Sequence, residues 1–324
     1  MRFSARTVGL AAAVVTVFIW TSFIIITRAS AGRTLTPFDI ALARIVGASS
    51  VLLPWGAWLV RSARRRGGGK SSLFGLSPLP LRVTAVTGLF GGLLYALLAY
   101  TGFFYAPAAH ASVLMPGSLP LWTALLAVLV LRERLTPARA LGLACIVAGD
   151  LLVGGASLLK AFDGGEVWKG DLLFMSAAIC WAGYSVLARR FGLDAVRATI
   201  AITAFAFVSY VPAYALLVLS GQVASQLAAA PWGEILFQVL FQGLGSVVVS
   251  GIAFTQMIRY FGPVRSTMIT ALVPGLSALG AVLWLGEPLS APLLAGLALV
   301  TAGILFGVRA ARPAPTAGRA MEAR

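Results

Sequence analysis

Asparagine is absent from this chain of 324 residues, histidine occurs once and cysteine twice. Only 3 of its 25 basic residues are lysine, and only 10 residues are acidic. Each scarcity excludes something. His110 alone cannot build a metal site, which takes several ligands. Cys145 and Cys180 both lie inside apolar runs and read as small buried apolar residues, not as a disulfide framework. There is no H-E-x-x-H and no cluster of carboxylates, so the acid–base groups that a membrane-embedded enzyme needs are missing. No ring of like charges or filter-like loop suggests a channel. The missing asparagine and scarce lysine fit a GC-rich bacterial genome.

What is present is apolar. The chain is 59% hydrophobic and 11% charged, with a mean hydropathy of +0.93. Soluble domains carry roughly 25% charged residues, and a helix needs about 20 apolar residues to cross a bilayer. Ten such runs occur, at 9–28, 37–60, 82–104, 110–131, 137–158, 170–189, 196–219, 234–258, 264–285 and 289–309. The expected fold is therefore an all-α polytopic membrane protein with no soluble domain. Arg61–Pro80 is basic and Gly/Ser-rich and reads as a flexible loop; residues 312–324 read as a disordered cytoplasmic tail. Within that loop Arg66-Gly67-Gly68-Gly69-Lys70-Ser71 imitates a P-loop. Arg64 stands where a P-loop needs its first glycine, so direct use of ATP is not expected.

The N-terminus imitates a signal peptide, with Arg2, Arg6 and Ala29-Ser30-Ala31 around an apolar run. That run recurs inside the chain. Gly9, Trp20 and Arg28 match Gly170, Trp181 and Arg189 at a constant offset of 161. Residues 112–153 match 266–307 at an offset of 154, with 16 identities in 42 positions, among them Pro120/Pro274, Glu133/Glu287, Gly142/Gly296 and Gly149/Gly303. The chain thus divides into a first repeat (1–158) and a second (159–311), each of five spans. Five is odd, so the second must enter the membrane inverted. Charge supports this, because cytoplasmic loops collect Lys and Arg. Twenty of the 25 basic residues fall on the termini and even-numbered loops; four, Arg28, Arg33, Lys160 and Lys169, fall on odd-numbered ones, and Arg44 lies within a span. Both termini are expected in the cytoplasm, and the net charge of +15 is topology, not a nucleic-acid surface.

Several stretches then carry a family likeness: FIWTSFIIITR (Phe18–Arg28), LTPFDIALARI (Leu35–Ile45) with Pro37 and Arg44, and the two end-of-repeat hairpins, LVLRERLTPARALGLACIVAG after Pro120 and LWLGEPLSAPLLAGLALVTAG after Pro274. Together they resemble the drug/metabolite transporter superfamily, in particular its EamA-like family of bacterial exporters. Asp150 and Phe205, the offset match of Arg44, depart from that pattern. The resemblance implies a multi-pass inner-membrane secondary transporter. It would export small metabolites or drugs by alternating access around a midplane cavity, uptake and, less favoured, a membrane-embedded enzyme being the alternatives.

The candidate site residues follow from depth. Trp20 and Trp181 each lie 11 residues into a span, about 16 Å deep at 1.5 Å per residue, although Trp normally sits at the interface. Two midplane tryptophans suit a cavity wall between repeats; packed core aromatics are the plain alternative. Tyr95, Tyr100, Tyr184, Gln242 and Ser246 are candidate polar liners. Arg44, about 10 Å inside, is either a substrate contact or a structural arginine. Pro120 and Pro274 are candidate kinks that free the carbonyls of Pro116 and Thr270. Asp150 and His110 are the groups on offer for proton coupling; a contact to Arg44 or Lys160, or between two copies of the chain, is the plainer role for Asp150, and packing for His110. Asp39 is read as part of a Thr36–Asp39 capping box. With aromatic and neutral polar groups dominating, the expected solute is neutral, zwitterionic or aromatic, as amino-acid-like molecules are, in preference to a strongly anionic one, although Arg44 leaves a carboxylate contact open. It would move down its own gradient with weak or no proton coupling.

Overall fold

A computed structural model describes residues 5–161, 164–270 and 272–309. Among the described residues there is no strand, and nine helices are long and apolar enough to cross a membrane. They are α1 (Thr7–Ala31), α2 (Pro37–Arg65), α3 (Leu81–Tyr105), α4 (Ala108–Leu131), α5 (Pro137–Lys160), α6 (Val167–Arg190), α7 (Ala195–Leu219), α8 (Trp232–Phe261) and α9 (Pro263–Leu285). A tenth, α10 (Ala291–Arg309), carries a shorter apolar stretch. The spans expected from hydropathy fall on these helices within a few residues. The tail from Arg312 lies outside the described residues.

Local chemistry sets the helix ends. Thr36 caps α2 with the reciprocal Thr36–Asp39 box, and Pro37 takes the first turn, where its missing N–H costs nothing. Gly262 turns the chain at φ 79° and Pro263 opens α9. The α4–α5 and α9–α10 hairpins share one geometry. Arg132 (φ 55°) and Gly286 (φ 67°), which match at the offset of 154, both adopt the left-handed conformation. The next residue then bonds back six positions, Glu133 N to Ala127 O at 3.3 Å and Glu287 N to Ala281 O at 3.2 Å. Arg61–Pro80 is not a loose loop: α2 runs to Arg65, and Ser72 and Ser77 exchange backbone bonds while both side chains hydrogen-bond to Thr84.

The most extensive packings join α1–α5 to α6–α10. They are α5 on α10, α2 on α8 and α7, α3 on α6 and α7, α1 on α8 and α9, and α4 on α6 and α9. Exchanging each helix for its fifth neighbour maps this set onto itself: α1–α8 becomes α6–α3, and α1–α9 becomes α6–α4. The most extensive of these packings, α5 on α10, repeats the exchange at residue level. A Cβ at Gly149 would lie 2.6 Å from the Gly296 carbonyl oxygen, and one at Gly303 would lie 2.4 Å from that of Gly142. Such close backbone approach through small residues is how helices pack in lipid, where apolar burial offers little drive. Gly303→Val should therefore lower stability by about 1–3 kcal/mol or more, whereas Gly155→Ala, with open space at its Cβ, should be neutral or slightly stabilising. Thermal melts of the detergent-purified protein read both.

Candidate functional site

The two tryptophans matched at the offset of 161 meet. α1 supplies Trp20 and α6 supplies Trp181, with ring centroids 5.7 Å apart at 76°. Phe254 of α8 lies 4.8 Å from Trp20 and 5.6 Å from Trp181; Tyr95 of α3 and Tyr184 of α6 lie 4.7 and 5.2 Å from Trp181. Edge and tilted contacts of this kind suit the ring quadrupoles. The Trp20 indole N–H donates to Ser250 Oγ at 3.1 Å. The Trp181 indole nitrogen is buried and has no hydrogen-bond partner.

Trp181 divides two small cavities. The first is lined by Arg44, Trp181, Tyr184, Thr199, Thr203 and Ser246, with small residues such as Gly91, Gly92 and Gly251 between them. The second is lined by Trp20, Phe23, Tyr95, Met115, Trp181 and Val273, among others. Their volumes are about 30 and 20 Å³, and a water's share of the liquid is about 30 Å³. Neither space holds more than about one water. The walls include irregular helix. α3 is π-helical over Leu89–Leu94 and α8 over Val239–Val249, corresponding positions at the offset of 154. Such bulges concentrate at functional sites.

Arg44 stands in the first wall with 6% of its surface exposed. Its Nη1 donates to Ser246 Oγ at 3.1 Å and Tyr100 Oη at 3.3 Å. Tyr100 donates in turn to Gln242 Oε1 at 3.0 Å, and Gln242 Nε2 donates to Thr27 Oγ1 at 3.0 Å. Gln242 and Tyr100 thus stand behind the arginine and line neither cavity. The Tyr95 and Tyr100 rings flank the guanidinium at 6.0 Å each. Among the described residues no acid pairs with Arg44.

Two of the ion pairs at helix ends join residues that recur at the sequence offsets of 161 and 154. Arg28, closing α1, meets Glu287 at 3.3 Å and donates through Nη1 to the Phe103 carbonyl at 2.7 Å. Glu287 also accepts the N–H groups of Ala108 (3.0 Å) and Ala109 (3.1 Å) at the start of α4. A cleft of about 430 Å³ opens beside this cluster, lined by Arg28 and Glu287. Arg189, closing α6, pairs with Glu133. Arg28 and Glu133 are the sequence counterparts of Arg189 and Glu287, so the two pairs are one arrangement with its halves exchanged.

A family model for EamA-like transporters matches this chain twice, over residues 7–155 and 168–309. The chain belongs to the EamA-like transporter family. It is 27% identical over 228 residues to the uncharacterized transporter YyaM of Bacillus subtilis, covering 69% of this chain and 70% of that protein. It is 29% identical over 195 residues to an uncharacterized transporter of Archaeoglobus fulgidus, covering 59% of this chain and 60% of the other. A protein crystal structure covering 96% of this chain and 99% of its own shares its fold, with a TM-score of 0.59 at 24% identity.

Four other candidates of this EamA-like chain stand apart from both cavities. Asp150 is buried on α5, and neither carboxylate oxygen has a hydrogen-bond partner; it touches neither Arg44 nor Lys160 by ion pair. His110 pairs through Nδ1 with Asp171 of α6 at 3.0 Å, and Ser157 of α5 bonds the same carboxylate. Pro120 and Pro274 sit in the first turns of restarted helix, after a π-turn at Val113–Gly117 and after the break at Thr270. The Thr270 carbonyl accepts from Val273 N at 3.0 Å, so it is satisfied within the turn. Asp39 does more than cap α2. It also accepts from Tyr214 Oη (2.5 Å), Ser225 Oγ (3.0 Å) and Gln226 N (3.0 Å). It thereby ties α2 to α7 and to the loop that follows α7.

Proposed function

We propose that this EamA-like protein is a secondary transporter that exports small metabolites or drugs across the bacterial inner membrane. In this reading α1–α5 and α6–α10 are inverted repeats, both termini are cytoplasmic, and the solute binds where Trp20 meets Trp181. Access alternates between the two faces as the halves rock. One observation carries the proposal: the exchange relation of packings, glycine contacts and ion pairs, since a two-fold arrangement makes residue i meet j as j meets i. The direction, outward, rests on the likeness to bacterial exporters. Asp150 and His110 lie off the cavity walls, which favours transport down the solute's gradient with weak or no proton coupling.

Topology and direction are tested together. A cysteine replacing Ser225 should react with an impermeant maleimide in intact cells, and one replacing Ser71 should not; the reverse pattern would overturn the topology. Cells producing the protein should lose a preloaded labelled solute faster than cells producing Trp181→Ala. Faster gain would assign uptake.

A further inference from the structure

We propose that the cavity beside Arg44 selects a small organic anion, a carboxylate on an apolar or aromatic body, over zwitterions, amines and neutral solutes. This rests on the proposed function, with the solute at Trp181 reaching into the cavity on its Arg44 side. The wall is one-sided in its chemistry. Arg44 is a cation buried in the membrane interior, where a charge is costly unless it is matched. Its two bonds go to neutral hydroxyls and both leave from Nη1. The Nε–Nη2 edge, which a carboxylate can take with two parallel bonds, bonds no described residue. The same wall holds two more unmatched groups. Trp181 Nε1 and Thr203 Oγ1 are buried without partners; the indole can only donate, and the hydroxyl can donate or accept.

No acid lines either cavity. Asp39 is filled by its own donors, Asp171 is held by His110 and Ser157, and Asp150 lies on the α5–α10 side. A carboxylate would supply the charge that Arg44 lacks and an acceptor for Trp181. An ammonium, whether on an amine or a zwitterion, would enter beside Arg44 with no carboxylate to receive it. The body of the solute would lie against Trp181, Tyr184 and Ile202, which offer apolar faces and no further charge.

The test is a series on one carbon skeleton, bound to the purified full chain in detergent: 3-phenylpropanoate, phenylalanine, 3-phenylpropylamine and 3-phenylpropanol. Affinity is read from concentration-dependent thermal stabilisation. The anion should bind at least about tenfold more tightly than each of the others, as a charge-assisted bidentate pair implies. Arg44→Gln should abolish that preference, and Arg44→Lys should keep part of it, since lysine retains charge without the fork. Equal binding of the alcohol or of phenylalanine, no binding of the anion, or a preference that survives Arg44→Gln would each overturn the inference. The wild-type series decides even if Arg44→Gln fails to fold. Flux of a labelled metabolite panel separates the two readings. Passage of neutral or zwitterionic solutes without anion binding sinks the anion inference alone; passage of none sinks the transport reading with it.

Discussion

Trp181→Ala is expected to cut the initial rate of solute flux by about tenfold or more, while Asp150→Asn is expected to leave it within about twofold. Trp181 touches four other rings and borders both cavities. Its removal takes away a stacking face and an unmatched indole donor, worth about 0.5–1.5 kcal/mol for each well-placed aromatic pair beyond the area buried. Truncating a ring that buried also leaves a void, at about 3–5 kcal/mol of stability. Trp181→Phe therefore accompanies it, filling most of the space without the N–H. The expected order of flux is wild type, then Trp181→Phe, then Trp181→Ala, at equal amounts of folded protein in the membrane. Trp20→Ala should behave like Trp181→Ala. Loss of flux in Asp150→Asn with Trp181→Ala unimpaired would move the site away from the aromatic cluster.

The second large effect is expected at the ion pairs. The Arg28–Glu287 cluster ties the ends of α1, α3 and α4 to the α9–α10 turn and is mostly shielded; Glu287 alone accepts from Arg28, Ala108 and Ala109. Hydrogen bonds to a charged group contribute about 1.5–3 kcal/mol each when partly buried. Its counterpart cannot be built equally well. The positions matching Ala108 and Ala109 are Gly262, whose N–H already goes to Ile258 O at 2.9 Å, and Pro263, which has none to give. The Arg189–Glu133 pair is also more exposed, and exposed pairs contribute about 0–1 kcal/mol. Glu287→Gln should thus release the expected outer face far more than Glu133→Gln releases the inner one. The readout is a cysteine at Thr203, in a chain whose Cys145 and Cys180 are replaced, labelled from outside by an impermeant reagent. Glu287→Gln should speed labelling about tenfold or more, and Glu133→Gln should leave it unchanged or slow it. Unchanged labelling in Glu287→Gln removes this pair as a gate.

Much of the architecture was legible because bilayer thickness dictates run length. Hydropathy placed all ten helices, and Thr36-Pro37-Phe38-Asp39 announced the start of α2. The meeting of Trp20 with Trp181 followed from their equal depth and their offset of 161. The pairing of Arg28 with Glu287 was within reach as well. Both were visible as repeat markers, and the inverted two-fold proposed above would set each across from the other's counterpart. What the sequence hid is what depends on tertiary packing. No local signal marks the π-turns of α3 and α8, because their residues, Gly-rich and apolar, suit regular helix too. Arg44 was visible as a buried charge, but the absence of any acid near it is a fact of three dimensions. The hub at Asp39 was half seen: the capping partners lie three residues away, whereas Tyr214, Ser225 and Gln226 lie more than 170 residues along the chain.

The most direct measurement of the central claim is flux of a labelled metabolite panel into proteoliposomes of the purified chain, with and without a pH gradient, beside Trp181→Ala. Saturable flux of at least one solute, lost in Trp181→Ala and little changed by the gradient, is the result expected of a transporter working through the tryptophan cavity. Flux that is absent for the whole panel, or that persists undiminished in Trp181→Ala, would contradict it.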